Sequence, residues 1–190
     1  MAKLKGDIKV GVIGCGKIGE RHLSAYKKLG VEAVVCDLNE ESASELAQRF
    51  NTEYVTDYVE LISRDDIIAV DVCTPTPTHK KIILDSVNAG IKYIFCEKPL
   101  AGTLSEVKEI RNSIKNNGVI LTTGYLYRFY PSFSFVKEVI DEKVIGEPYF
   151  ATFRLGGRGS HRVWKHKKSK YGGAILDMMV HMIDLVLWYF

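Results

Sequence analysis

The chain has 190 residues, 46% hydrophobic and 26% charged, a balance suited to a globular fold. Such a length holds one domain comfortably and a second only if it is small. A net charge of +3 is too mild to imply nucleic acid, and no apolar run is long enough to span a bilayer. Neither a nucleic-acid partner nor a membrane is therefore expected.

Met1 to Asp7 is short, charged and leads straight into a strand, unlike a signal peptide. Asp7 to Ile13 reads as the first strand and Ile18 to Leu29 as the helix after it. Ala33 to Cys36 is a second short strand, followed by a polar-faced helix over Glu40 to Phe50. Tyr54 and Val55 suggest a short third strand, with a small helix near Tyr58 to Ile62. Ile67 to Cys73 is nearly all apolar, as a strand covered on both faces should be. A helix over His79 to Asn88, a strand over Lys92 to Cys96, a helix over Ser105 to Asn117 and a strand over Val119 to Thr123 complete the run. Regular β-α-β alternation predicts an α/β fold, a doubly wound parallel sheet of Rossmann type, over residues 1–123.

After Gly124 aromatic residues crowd in at Tyr125, Tyr127, Phe129, Tyr130, Phe133 and Phe135. A helix is expected over Ser134 to Glu142, a strand over Tyr149 to Leu155, a basic glycine-containing loop over Gly156 to Tyr171, and a very apolar helix over Ala174 to Phe190. A helix so apolar needs a surface to bury against, and it runs to the last residue without a polar cap. Residues 124–190 therefore read as the beginning of an α+β second domain, truncated here or completed by a partner. The four cysteines, Cys15, Cys36, Cys73 and Cys96, form no CxxC pair and match neither a zinc site nor a disulfide framework. Each falls at or near a strand end, where a small residue packs well, so no metal is expected and the compartment should be reducing, hence cytoplasmic.

Gly14-Cys15-Gly16-Lys17-Ile18-Gly19 is a GxGxxG directly after a strand and opening a helix. The first glycine permits the tight turn, the second lets a pyrophosphate approach the backbone, and the third lets helix and strand pack closely. Asp37 ends the second strand, where an acid meets the ribose hydroxyls. Its carboxylate would repel a 2′-phosphate, and Leu38, Asn39, Glu40 and Glu41 supply no cation to bind one, so NAD is preferred over NADP. A methyltransferase could use a similar loop and acid, but the remaining clusters argue against one. Thr74-Pro75-Thr76-Pro77-Thr78-His79 follows the fourth strand and Glu97-Lys98-Pro99 the fifth, both at the carboxyl end of the sheet where such folds bind ligands. On the final helix Asp177, His181 and Asp184 stand at i, i+4 and i+7, three ionisable groups on one stripe of an apolar helix.

Taken together, these residues resemble the Gfo/Idh/MocA oxidoreductases. The glycine loop continuing to Arg21-His22, the Thr-Pro-x-x-x-His segment, Glu97-Lys98-Pro99, Arg128-Phe129-Tyr130-Pro131, Ile145-Gly146-Glu147-Pro148 and the Gly-Gly…Asp-x-x-x-His-x-x-Asp helix occur in the family's order through nearly the whole chain. The resemblance implies a two-domain NAD(P)-dependent enzyme whose second, largely antiparallel domain covers the nicotinamide and often mediates oligomers, so a homo-oligomer fits it. It implies hydride transfer between a nicotinamide cofactor and a carbinol of a sugar, sugar derivative or cyclitol. The cofactor would be held by Gly14, Gly16, Lys17, Ile18, Gly19, Asp37, Thr74, Pro75, His79, Glu97 and Lys98. Oxidising a carbinol also needs a base, and His181 has the pKa range for it, with Asp177 as orienter and Lys98 as electrostatic partner. Whether Lys98 or His181 takes the proton is left open by the residue types. Asp184 reads as structural rather than catalytic, and His22 and His79 as packing or helix-start residues. Lys165-His166-Lys167-Lys168-Ser169-Lys170 reads as a solvated run. Met179 stands where the family often has glycine, which bears on the substrate more than on the reaction class. The alternative is a truncated or non-catalytic dinucleotide-binding protein, a sensor or subunit.

Overall fold

The computed structural model describes residues 8–155, 173 and 175–190. The chain divides into two compact units, Met1–Thr123 and Gly124–Phe190. The first contains β1 (Lys9–Ile13), α1 (Lys17–Lys28), β2 (Ala33–Cys36), α2 (Glu40–Phe50), β3 (Glu53–Val55), α3 (Tyr58–Ile62), β4 (Ile67–Val72), α4 (Thr76–Asn88), β5 (Tyr93–Cys96), α5 (Leu104–Asn117) and β6 (Ile120–Thr123). All six strands form one parallel sheet in the order β3-β2-β1-β4-β5-β6. Strand order reverses between β1 and β4, which opens a crevice at their carboxyl ends.

The strand sequences account for both faces of this sheet. Val34 and Cys36 of β2 join Val70, Val72, Ile83, Ile94 and Ile110 in one buried cluster. Val12 of β1 and Ala33 and Val35 of β2 join Leu23, Leu46 and Ala47 in the other. Successive residues thus serve opposite faces, and apolar residues occupy both, as the run of valine and isoleucine requires. Helix starts follow local chemistry. Asn39 accepts the Ser42 N–H at 2.8 Å, Asp57 the Val59 N–H at 2.8 Å, and Thr103 and Glu106 form a reciprocal capping box on α5. Helix α4 begins at Thr76, three residues before the expected start, because Pro77 fits its first turn without needing a backbone N–H.

The second unit holds a 3₁₀ turn (Leu126–Phe129), α6 (Pro131–Asp141), a π turn (Ile175–Met179) and α7 (Val180–Tyr189). Met182, Leu185 and Tyr189 of α7 pack with Tyr127, Phe133, Ile140 and Phe153. Two expectations are corrected here. Tyr149 to Leu155 is not a strand, since among the described residues no strand lies beside it to complete a ladder. The single helix expected from Ala174 is a π turn leading into an α-helix, so α-helical spacing holds for His181 and Asp184 while Asp177 lies on the wider turn. The basic run Lys165 to Lys170 lies outside the described residues. No described helix is long and apolar enough to cross a membrane.

Candidate functional site

The carboxyl edge of the first unit's sheet brings the glycine loop, Asp37, Thr74-Pro75 and Glu97-Lys98-Pro99 to the ends of β1, β2, β4 and β5. The three loop glycines do different work. At Gly14 φ is +104°, and a Cβ would lie 2.9 Å from the Cys73 carbonyl carbon. At Gly19 a Cβ would sink into the Gly14 carbonyl oxygen, so this glycine lets α1 rest directly on the loop. A Cβ on Gly16 would meet nothing within 4 Å. That open space sits at the N-terminus of α1, where Gly16 is the N-cap and no side chain caps the first amides. Free backbone donors beside a clear approach suit a phosphate group.

Asp37 is tied to this loop. One carboxylate oxygen accepts the Cys15 N–H at 2.8 Å and the other the Asn39 N–H at 2.9 Å. Each oxygen keeps a further lone pair for a hydroxyl donor. Leu38 beside it is 87% exposed, and no cation neighbours the acid in sequence. The donors, the cleared approach at Gly16 and the fixed carboxylate together fit a dinucleotide with an unmodified adenosine ribose.

His79 is fully buried, with Nε2 2.8 Å from the Thr74 carbonyl and Nδ1 3.0 Å from the Pro99 carbonyl. Burial pushes its pKa below the ordinary imidazole range. It joins the loop after β4 to the loop after β5, so its bearing on a cofactor runs through the backbone it holds. Thr78 reinforces the first loop by donating to the Pro75 carbonyl at 2.8 Å. The Lys98-Pro99 peptide is cis.

A polar group that sequence reasoning passed over lies behind these loops. Asp71 is 1% exposed in an otherwise apolar strand. It accepts from Tyr26 Oη at 2.9 Å, lies 2.8 Å from His22 Nδ1, and has Cys73 Sγ at 3.4 Å. The other ring nitrogen of His22 is 3.3 Å from Glu97, whose second oxygen accepts the Lys98 N–H at 3.1 Å. Burial opposes charge on His22, but its bonds to Asp71 and Glu97 outweigh that and raise its pKa to about 9. Burial raises Glu97, yet its contacts with His22 leave it below the usual carboxylate range. Burial and Asp71 push the Cys73 thiol far up, so it keeps its proton. The signal was present in the sequence: an aspartate inside Ile67–Val72 has to be paired. All four cysteines are free thiols.

In the second unit His181 is buried and stacks on Tyr127, ring centroids 4.4 Å apart. Asp184 accepts a two-pronged hydrogen bond from Arg128, at 2.8 and 2.6 Å, and Arg128 also lies over the Trp188 ring. The pair fastens the 3₁₀ turn to α7 and occupies Arg128 structurally. Asp177 is half-buried on the π turn, and its N–H bonds to the Gly173 carbonyl at 3.0 Å.

Residues 8–125 match an oxidoreductase family with an NAD-binding Rossmann fold, and residues 133–190 match the Gfo/Idh/MocA C-terminal domain. A levoglucosan dehydrogenase from Pseudarthrobacter phenanthrenivorans is 33% identical, the match covering 94% of this chain and 50% of that protein. A myo-inositol 2-dehydrogenase from Thermotoga maritima is 32% identical over 94% of this chain and 53% of its own length. Among solved structures, an NAD-binding protein from Listeria innocua superposes with a TM-score of 0.85 at 25% identity, covering 96% of this chain and 54% of that one. A levoglucosan dehydrogenase in complex with NADH and levoglucosan gives 0.82 at 30% identity, covering 96% and 54%. The chain thus spans about half the length of the relatives it matches. Motif order, sheet topology and both domain matches agree: the chain belongs to the Gfo/Idh/MocA family of oxidoreductases.

Proposed function

We propose that the chain binds NAD(H) in the crevice between β1 and β4 and carries the residues of a dehydrogenase acting on a carbinol of a sugar, sugar derivative or cyclitol. The observation that carries the cofactor reading is the open approach at Gly16, set beside uncapped α1 amides and a carboxylate fixed at Asp37. When bound, the nicotinamide would supply the hydride acceptor or donor. The chain's own residues would do the rest. Lys17 and Ile18 open α1 beside the phosphates, and Thr74, Pro75 and Glu97 shape the loops at the ends of β4 and β5. Lys98 would place a positive charge where negative charge develops on the substrate oxygen. His181, held flat against Tyr127, would exchange the hydroxyl proton, with Asp177 orienting ring or substrate. The relatives named for levoglucosan and myo-inositol support the substrate class, since both are polyhydroxylated rings.

The test is a screen of polyols and sugars for NAD reduction, run on the chain and on Lys98→Ala and His181→Ala. On a substrate that turns over, each variant should lose at least about a hundredfold in kcat, in line with loss of a general acid–base or electrostatic partner. NADH affinity should stay within a few-fold of the parent. A comparable loss of NADH binding in both variants would overturn the assignment.

A further inference from the structure

We propose that His22 is a positioning residue: it stands as a doubly protonated link between Asp71 and Glu97 and thereby holds the backbone of Lys98 in place. The inference rests on the reading of Lys98 as a functional residue of this site, and it adds a second layer beneath it.

Both nitrogens of His22 face carboxylate oxygens, Nδ1 to Asp71 at 2.8 Å and Nε2 to Glu97 at 3.3 Å. A neutral ring has one N–H, and its bare nitrogen would set a lone pair against an anion. Only the imidazolium satisfies both contacts. The anchor end is rigid. Asp71 sits 1% exposed in the middle of the sheet; the oxygen facing His22 also accepts from Tyr26 Oη, and Cys73 Sγ lies 3.4 Å from the other. The Phe95 ring meets the imidazole edge-on, centroids 5.4 Å apart, which restrains its tilt. At the working end Glu97 reaches His22 with one oxygen and the Lys98 N–H with the other. The Glu97 N–H itself bonds to the Val72 carbonyl at 2.9 Å, so the start of the turn is tied to β4 as well. Two carboxylates brought this close would repel each other without the cation between them. The titratable groups facing the ring are therefore Asp71 from β4, Cys73 just past its end, Glu97 from the turn after β5, and Tyr26 from α1 itself, with Lys98 acting on Glu97. Lysine placement by the backbone matters because a shift of about 1 Å at a reacting group costs on the order of a hundredfold in rate.

The test uses NMR on the full chain with labelled histidine and amide nitrogens, and needs neither cofactor binding nor turnover. His22 should remain doubly protonated through pH 8 and lose its proton near pH 9, and Glu97→Gln should lower that midpoint by at least one unit. In His22→Gln the Lys98 amide should exchange with solvent at least tenfold faster while core amides such as Val12 keep their protection, and His22→Arg, which restores the charge, should recover most of it. A His22 midpoint at 6 to 7, or one that Glu97→Gln leaves in place, overturns the proposal on the unsubstituted ring alone. Lys98 exchange within twofold of the parent in a folded His22→Gln chain overturns it too. Absence of NADH binding in the same samples would instead count against the cofactor reading and leave the link intact.

Discussion

Gly16→Ala and Gly19→Ala each add one methyl to the same loop, yet they should fail in different assays. At Gly19 the new Cβ would overlap the Gly14 carbonyl oxygen, a backbone atom that cannot swing aside. Overpacking of this kind costs about 1–3 kcal/mol, and a backbone clash belongs at the top of that range. Alanine's better helix propensity returns about 1 kcal/mol. The net loss is about 2 kcal/mol, or on the order of 10 °C in Tm for a unit of this size. At Gly16 the methyl enters open space, and the backbone, with φ −76° and ψ −176°, suits any residue. Losing glycine from the N-cap costs at most about 1 kcal/mol. The methyl would nevertheless stand where a phosphate must approach the α1 amides, so NADH affinity should fall at least about tenfold, or 1.4 kcal/mol. Urea unfolding and NADH fluorescence titration on both variants separate the two effects. A Gly16→Ala chain that binds NADH like the parent, or that loses as much stability as Gly19→Ala, would refute the division of labour.

Replacing Asp37 with serine and Leu38 with arginine should move preference from NADH toward NADPH, read as the ratio of the two dissociation constants; an unchanged ratio would mean that Asp37 does not set it. His22 makes stability depend on pH. Its folded pKa of about 9 lies above the ordinary 6.5, so its contribution is complete below pH 6.5 and is lost as pH rises through 9. The full effect is about 3 kcal/mol, and urea midpoints across pH 6 to 10 should flatten in His22→Gln; parallel curves for parent and variant would contradict it. Arg128→Met would leave the nearly buried Asp184 without its two-pronged donor, costing the second unit about 2 kcal/mol, with the partial solvation of Arg128 keeping the figure modest. Near-UV circular dichroism of the packed aromatics would report it, and an unchanged spectrum and urea midpoint would show that the pair holds nothing.

Much of the first unit was legible because its signals are local. The strands are short runs rich in β-branched and aromatic residues, and the glycine loop and Asp37 sit at fixed offsets from β1 and β2. Helix caps such as Thr103 with Glu106 lie within four residues of each other. What escaped was set by tertiary partners. Asp71 looks like an interruption of an apolar strand until His22 and Tyr26 arrive from α1 and Glu97, from the turn after β5, meets the far side of the His22 ring. His79 likewise declares its task only when Pro99, twenty residues on, comes within reach of its ring. Tyr149 to Leu155 has the alternating composition of a strand, but pairing, not composition, makes one. The π turn over Ile175–Met179 lies in an apolar stretch whose residue types suit an ordinary α-helix equally well, so nothing there marked the wider turn.

Direct titration of this chain with NADH, followed by nicotinamide fluorescence and repeated with NADPH, tests the central claim. Saturable binding of NADH, tighter than that of NADPH and weakened by Gly16→Ala, is the predicted result. No saturable binding by the folded chain, or tighter binding of NADPH, would contradict it.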